Sequence, residues 1–129
     1  MTHNPNALRV LVVDDEPLIR WSLAETLSAR GHEVSEAEDA AATRRAVNES
    51  EHPPDVVLLD YRLPDSNDLG LLAPIRRDAP RAQIILMTAH ATPEMARGAL
   101  ELGAYRIVNK PFEVQEVAAL VAEAHAAAH

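Results

Sequence analysis

The sequence of 129 residues contains no cysteine, so it forms neither a disulfide bond nor a thiolate metal site. Its longest apolar runs fall well short of the ~20 residues that a membrane-spanning helix needs. Basic residues are in the minority, with 12 Lys and Arg against 20 Asp and Glu and a net charge of −8. An acidic chain of this kind is not expected to bind nucleic acid or an anionic membrane by itself. The lack of cysteine is compatible with the reducing cytoplasm, which is the location we expect.

The length and composition indicate one globular domain. A chain of this size can bury a core, and 47% hydrophobic with 25% charged residues is typical of such domains. The first six residues are polar and lack the basic-then-apolar order of a signal peptide. We therefore interpret residues 1–6 as a disordered lead-in, residues 7–124 as the domain, and residues 125–129 as a tail or the start of a linker.

Four short apolar runs, rich in β-branched residues, predict strands that are buried on both faces. Such strands are typical of parallel sheets. The runs cover residues 8–13, 56–59, 84–87 and 107–109. Residues 33–37 form a weaker run with polar flanks, and we expect that strand at an edge of the sheet.

Segments with helical spacing follow each run. We predict helices that begin at Pro17, Asp39, Asn67, Thr92–Pro93 and after Pro111. The second is expected to end near Glu51 and the third near Asp78. Pro74 lies inside the third, where it is tolerated only near a helix end or with a kink. Five strands alternating with five helices predict an α/β fold, a doubly wound (βα)₅ five-stranded parallel sheet of the flavodoxin-like type.

Candidate reactive residues stand at the ends of the predicted strands. Asp14 and Asp15 follow the first, Asp60 the third, and Thr88 and Lys110 the fourth and fifth. Each has an ordinary explanation when taken alone: a helix-capping acid, a strand-end threonine or a surface lysine. However, the carboxyl ends of parallel strands share one edge of the sheet, where ligands bind. Crowded carboxylates there predict a site for a hard cation such as Mg²⁺ that also receives phosphate.

Four motifs in this order resemble the receiver domain of two-component response regulators, the CheY-like family. They are Val13-Asp14-Asp15-Glu16-Pro17, Leu59-Asp60-Tyr61-Arg62-Leu63-Pro64, Met87-Thr88-Ala89 and Asn109-Lys110-Pro111-Phe112. The resemblance covers residues 7–124. Ile19-Arg20-Trp21 further resembles receivers of the NtrC type.

The resemblance implies a role for each site residue. Asp60 would accept a phosphoryl group from a phosphohistidine on a sensor histidine kinase. Mg²⁺ would be bound by Asp14, Asp15, Asp60 and the backbone carbonyl of Arg62. Lys110 would contact the acyl phosphate, with a cis peptide bond to Pro111, and Thr88 would be the switch hydroxyl.

Phosphorylation would then remodel the face formed by the fourth helix, fifth strand and fifth helix, to control an output domain, expected to act in transcription. A homodimer through that face is a further expectation. Such a domain catalyses its own phosphorylation but acts mainly as a switch.

Three features depart from the family pattern. Ile107 stands where the family commonly has an aromatic residue, and Tyr105, two positions earlier, is expected to point to the same side of its strand. Asp68 stands where glycine is common, in a loop whose acids are expected to cap the third helix. His90 is expected to be a solvated loop residue near the site.

Three other classes of protein remain as alternatives. A pseudo-receiver would use the same face without phosphorylation, and the missing aromatic residue favours it, whereas the intact acids and lysine oppose it. A hydrolase of the aspartyl-phosphate type needs an Asp-x-Asp pair, where this chain has Asp14-Asp15-Glu16. A flavodoxin needs a loop rich in Ser, Thr and Gly at the same place, where these acids would repel a phosphate.

Overall fold

A computed structural model describes residues 7–49, 51–66 and 69–128 of the chain. Within these residues, strands and helices alternate as predicted. The strands are β1 (Arg9–Val13), β2 (Glu33–Ala37), β3 (Val56–Asp60), β4 (Gln83–Thr88) and β5 (Ala104–Asn109). The helices are α1 (Pro17–Ala29), α2 (Ala40–Asn48), α3 (Leu72–Asp78), α4 (Pro93–Glu101) and α5 (Val114–Ala128).

The five strands form one parallel sheet in the order β2-β1-β3-β4-β5. The predicted parallel fold is confirmed, with the weak strand β2 at an edge and β1, β3 and β4 in the centre. Every residue of β3 is buried, as expected for a strand that is covered on both faces. The strand order reverses between β1 and β3, and this opens a crevice at the carboxyl edge of the sheet.

Helices cover both faces of the sheet. On one face, Leu23 and Leu27 of α1 pack with Val117 and Val121 of α5 against the central strands. Residues of α2, α3 and α4 pack on the other face. No helix in the described part of the chain is long and apolar enough to cross a membrane.

Helix α3 begins later than predicted. It starts at Leu72 instead of Asn67, and Asn67 itself lies outside the described residues. This start places Pro74 in the first turn, where a backbone N–H has no partner within the helix, so the proline is accommodated. Helix α2 is also shorter than predicted, since it ends at Asn48 instead of Glu51.

Asp65 does not cap α3, contrary to the prediction. The residue that precedes α3 is Leu71, and it makes no capping side-chain hydrogen bond. Asp65 lies too far before the first turn of α3 and instead accepts hydrogen bonds from the first two amides of α2. Asp68 lies outside the described residues.

The end of the chain is helical as far as it is described. Helix α5 continues through the alanine-rich segment to Ala128. The lead-in predicted for residues 1–6 lies outside the described residues, as does His129. The division into a domain and a tail stays a prediction.

Tyr105 and Ile107 face opposite sides of the sheet, so the prediction that they share a side is wrong. Ile84 pairs with Ala104, whereas the next residue, Ile85, pairs with Arg106. This β-bulge adds one residue to β5 and interrupts the alternation of its side chains. As a result, Ile107 packs with the cluster under α4, and Tyr105 packs with the cluster under α5.

His32 provides a testable pH dependence of stability. Its Nδ1 accepts a hydrogen bond of 3.0 Å from the amide of Leu8, which requires a neutral ring. Burial and then the nearby Arg30 lower the pKa of His32 below 6.5. Its stabilising effect is therefore complete above pH 6.5 and is lost as the pH falls through the lowered value. We expect His32→Ala to cost about 1 kcal/mol at pH 7.5 and less at pH 5.

Urea unfolding of wild type and His32→Ala at pH 7.5 and at pH 5 measures how the cost of the substitution changes with pH. His90→Ala is the matched control, because His90 is exposed in a loop. An equal cost of His32→Ala at both pH values would contradict the conclusion that His32 stabilises the fold through its neutral ring.

Candidate functional site

The carboxyl edge of the sheet brings the predicted site residues together. Asp14 and Asp15 directly follow β1, Asp60 ends β3, and Lys110 directly follows β5. Asp14 is fully buried and Asp60 is 6% exposed, whereas Asp15 is exposed. The three carboxylates each place an oxygen within 4.8 Å of the others.

Lys110 is the cation at the centre of this cluster. Its Nζ donates hydrogen bonds to Asp14 Oδ2 at 2.8 Å and to Asp60 Oδ2 at 3.3 Å. Glu16 Oε1 lies 3.5 Å from the same nitrogen. The side chain is only 12% exposed, and the peptide bond to Pro111 is cis, as expected. One ammonium group therefore joins the ends of three strands.

The surroundings of Asp60 and Lys110 shift the pKa of each of these two residues. Burial and the charge of Asp14 raise the pKa of Asp60 from 3.8 to about 7, although Lys110 acts in the opposite direction. Burial would lower the pKa of Lys110, but the hydrogen bond to Asp14 and the charge of Asp60 outweigh it and raise that pKa. The ammonium group thus stays charged at neutral pH, while Asp60 titrates there.

Two residues that the sequence reasoning did not assign hold Asp14 in place. The amide of Glu16 donates to Asp14 Oδ1 at 2.9 Å. Arg20, one turn into α1, donates to the backbone carbonyl of Asp14 at 2.7 Å and pairs with Glu36 on β2 at 3.1 Å. The sequence signals for Arg20 were its place in the first turns of a helix that follows the acids and its part in the Ile19-Arg20-Trp21 motif.

Thr88 lies at the same edge and is 4% exposed. Its hydroxyl oxygen accepts a hydrogen bond of 3.2 Å from the amide of His90. The His90 side chain is exposed, as expected. Behind Thr88, the residue that faces α4 from β5 is the aliphatic Ile107.

The loop after Asp60 turns back towards the site. The amide of Arg62 donates to Asp60 Oδ1 at 3.2 Å. Leu63, 6% exposed, anchors the loop in the core. Leu63 and Ser66 exchange two backbone hydrogen bonds, of 2.7 and 3.2 Å, across a tight turn. The backbone of Arg62 is therefore confined beside Asp60.

The residues present fit a divalent hard cation. The cluster contains three carboxylates, with Glu16 nearby, and the one ammonium group of Lys110, so it carries excess negative charge. Carboxylate and carbonyl oxygens are the ligands that Mg²⁺ prefers. Burial of Asp14 and Asp60 makes this excess costly without a second cation.

A doubly wound sheet with an aspartate–lysine cluster at its carboxyl edge defines the class of the domain. The family model of the response regulator receiver domain matches residues 10–122. The chain therefore belongs to the response regulator receiver domain family of two-component systems.

The similarity of the chain to individual proteins agrees with this family assignment. The chain is 37% identical over 115 residues to the DNA-binding transcriptional regulator NtrC of Proteus hauseri, covering 89% of this chain and 24% of that protein. It thus spans about a quarter of that relative. A CheY-like receiver domain from Methanospirillum hungatei superposes with a TM-score of 0.87 at 25% identity, covering 95% of this chain and 96% of that one.

A second similar structure contains a modified aspartic acid. It is a response regulator from Burkholderia pseudomallei with a phosphorylated aspartic acid, a calcium ion and citrate. Its TM-score is 0.80 at 28% identity, and the match covers 88% of this chain and 66% of that one.

The raised pKa of Asp60 predicts that Asp60→Asn stabilises the metal-free protein. Asparagine cannot ionise, so the substitution removes a buried negative charge that the charge of Asp14 repels. Since the folded-state pKa is raised, the cost of the wild-type carboxylate grows as the pH rises through about 7. We expect Asp60→Asn to raise the free energy of unfolding by about 2 kcal/mol at pH 8 and by less at pH 5.

Urea unfolding in EDTA at both pH values tests this expectation. Asp78→Asn, which changes an acid paired with Arg77 at the end of α3, is the control. An Asp60→Asn protein that is less stable than wild type at pH 8 would show that attraction to Lys110 outweighs repulsion from Asp14.

Proposed function

We propose that this domain is a phosphoacceptor switch, in which Asp60 takes a phosphoryl group from a phosphohistidine on a sensor histidine kinase. The observation that carries the proposal is the contact of Lys110 with both Asp14 and Asp60, beside the exposed Asp15. Membership of the receiver family supports it. So does the phosphorylated aspartic acid of the similar Burkholderia protein.

In the proposed reaction, a carboxylate oxygen of Asp60 attacks phosphorus. The new P–O bond forms as the P–N bond to the donor imidazole breaks. The electron pair of that bond stays on the imidazole nitrogen, which then binds a proton. Lys110, already 3.3 Å from Asp60 Oδ2, neutralises charge on the phosphoryl oxygens as they approach. At neutral pH the raised pKa of Asp60 also means that its proton must leave before the attack.

Asp14, Asp15, Asp60 and the backbone carbonyl of Arg62 would hold Mg²⁺ in this site. When bound, Mg²⁺ supplies positive charge that offsets repulsion between the carboxylates and the phosphoryl group. Asp14 is held for this task by Glu16 and Arg20. Arg62 is held by its amide contact with Asp60.

The proposed signal leaves the site through Thr88. Its hydroxyl would turn from the His90 amide to donate to a phosphoryl oxygen, and residues 89–92 would move with it. Those residues lead directly into α4, which begins at Pro93. Since Ile107 faces α4 and Tyr105 faces α5, we assign this coupling to the backbone of residues 89–92 and not to an aromatic ring. The α4-β5-α5 face would then change, as a two-state population shift.

The wider role follows from the relatives. NtrC is a DNA-binding transcriptional regulator, and the present chain matches only a quarter of it. We propose that this domain controls an output domain in transcription, and that it works in the cytoplasm. DNA binding would then reside in the output domain, and the α4-β5-α5 face would serve a homodimer.

Acetyl phosphate with Mg²⁺ tests the proposed acceptor. Wild type is expected to gain the mass of one phosphoryl group, and Asp60→Asn is expected to gain none, because the substitution removes the carboxylate that is the proposed acceptor. Intact-mass spectrometry measures the adduct, with Asp78→Asn as the control that keeps it. An adduct on Asp60→Asn would contradict the assignment. No adduct on wild type would favour a pseudo-receiver that acts as a constitutive interaction module, the alternative that the missing aromatic residue at Ile107 favours.

Thr88→Ala separates phosphorylation from switching. The variant is expected to form the adduct, since Asp60 and Lys110 are intact, but to lose the change in α4, since no hydroxyl remains to follow the phosphoryl group. Amide hydrogen exchange in α4, before and after phosphorylation, is the measurement. Thr88→Ser keeps the hydroxyl and is expected to retain the wild-type response. A full response in Thr88→Ala would exclude Thr88 as the switch.

A further inference from the structure

Asp65 links two parts of the chain that are distant in sequence. Its Oδ1 accepts a hydrogen bond of 2.7 Å from the amide of Ala40, and its Oδ2 accepts one of 3.1 Å from the amide of Ala41. These amides lie 25 and 24 residues away and open helix α2. The positive end of a helix dipole favours a carboxylate at this place. In agreement, the hydrogen bond from Ala40 contributes most to lowering the pKa of Asp65.

Helix α2 has its own cap without Asp65. Asp39 occupies the N-cap position, and its Oδ1 accepts from the Ala42 amide at 2.7 Å. The Thr43 amide bonds the Asp39 carbonyl at 3.0 Å. The Asp39 side chain satisfies one of the free amides of the first turn, and Asp65 satisfies two others. Asp65 differs from Asp39 because it also attaches the loop after β3 to α2.

That attachment completes the fixation of the loop that follows Asp60. At its start, the Arg62 amide is bonded to Asp60 Oδ1. In its middle, Leu63 is buried and bonded to Ser66 across the turn. At its tip, Asp65 is bonded to α2. The backbone carbonyl of Arg62 lies between the first two points along the chain, so a shift of the turn behind it is expected to move it.

We propose that Asp65 is a positioning residue for the site, which holds the β3–α3 loop against α2 so that the Arg62 carbonyl stays beside Asp60. The proposal rests on the proposed function, in which that carbonyl is a ligand of Mg²⁺. Asp65 itself does not touch the metal or the phosphoryl group. Partners of this kind typically change metal affinity by about 10- to 100-fold when removed.

The experiment compares Asp65→Ala with Asp39→Ala. Both variants remove a carboxylate from the N-terminus of α2, but only Asp65→Ala releases the loop. Isothermal titration with Mg²⁺ at pH 8 is expected to show about tenfold weaker binding for Asp65→Ala. Asp39→Ala is expected to stay within about twofold of wild type, although it loses stability through its cap. Asp65→Asn, which keeps one acceptor oxygen, is expected to lie between Asp65→Ala and wild type.

A metal-free readout accompanies the titration. The amides of Leu63 and Ser66 close the turn, so their hydrogen exchange is expected to quicken in Asp65→Ala and not in Asp39→Ala. Equal Mg²⁺ affinities and equal exchange in these two variants would overturn the proposal and reduce Asp65 to a second helix cap. If wild type itself binds no Mg²⁺, the proposed function fails, and the exchange comparison still decides whether Asp65 fixes the loop.

Discussion

The contact of the Lys110 ammonium group with Asp14 and Asp60 is the interaction on which the site depends. It joins residues that are 96 and 50 positions apart in the chain. Two buried carboxylates at the ends of neighbouring central strands repel each other, and the fold tolerates them because a cation from the end of β5 lies between them. The parallel sheet makes this arrangement possible, since it directs all three chain segments to one edge.

The same balance of charge leaves the site ready for a further cation. Burial and the charge of Asp14 keep the pKa of Asp60 at about 7, because Lys110 offsets only part of their effect. The cluster therefore favours an added divalent ion. Neighbouring segments restrain the acids from behind. Arg20 binds the Asp14 carbonyl from α1, and Asp65 binds the loop after Asp60 to α2. A group that approaches the open side therefore meets charges whose positions are already determined, which limits the reorganisation that a reaction requires.

Much of this arrangement was predictable because it depends on short-range patterns. Buried parallel strands appear as continuous apolar runs, and Asp60 and Lys110 directly follow or end such runs. The start of α3 was not predictable, because Pro74 fits a helix in more than one position. The side that Tyr105 faces was predicted wrongly because the bulge arises from the way β5 pairs with β4. The alternation of residues along β5 alone does not reveal such a bulge. The role of Asp65 depends on a contact with a segment 25 residues away, for which the local sequence carries no signal.

Lys110 is also the only lysine in the chain. Acylating reagents and enzymes that modify lysine thus have one side-chain target here, and that amine is 12% exposed and paired with acids. Attachment of an acyl group would remove the charge and leave Asp14 and Asp60 without their shared partner. The other basic side chains are arginines and histidines, so reactions of side-chain amines on this domain are directed to the centre of the site.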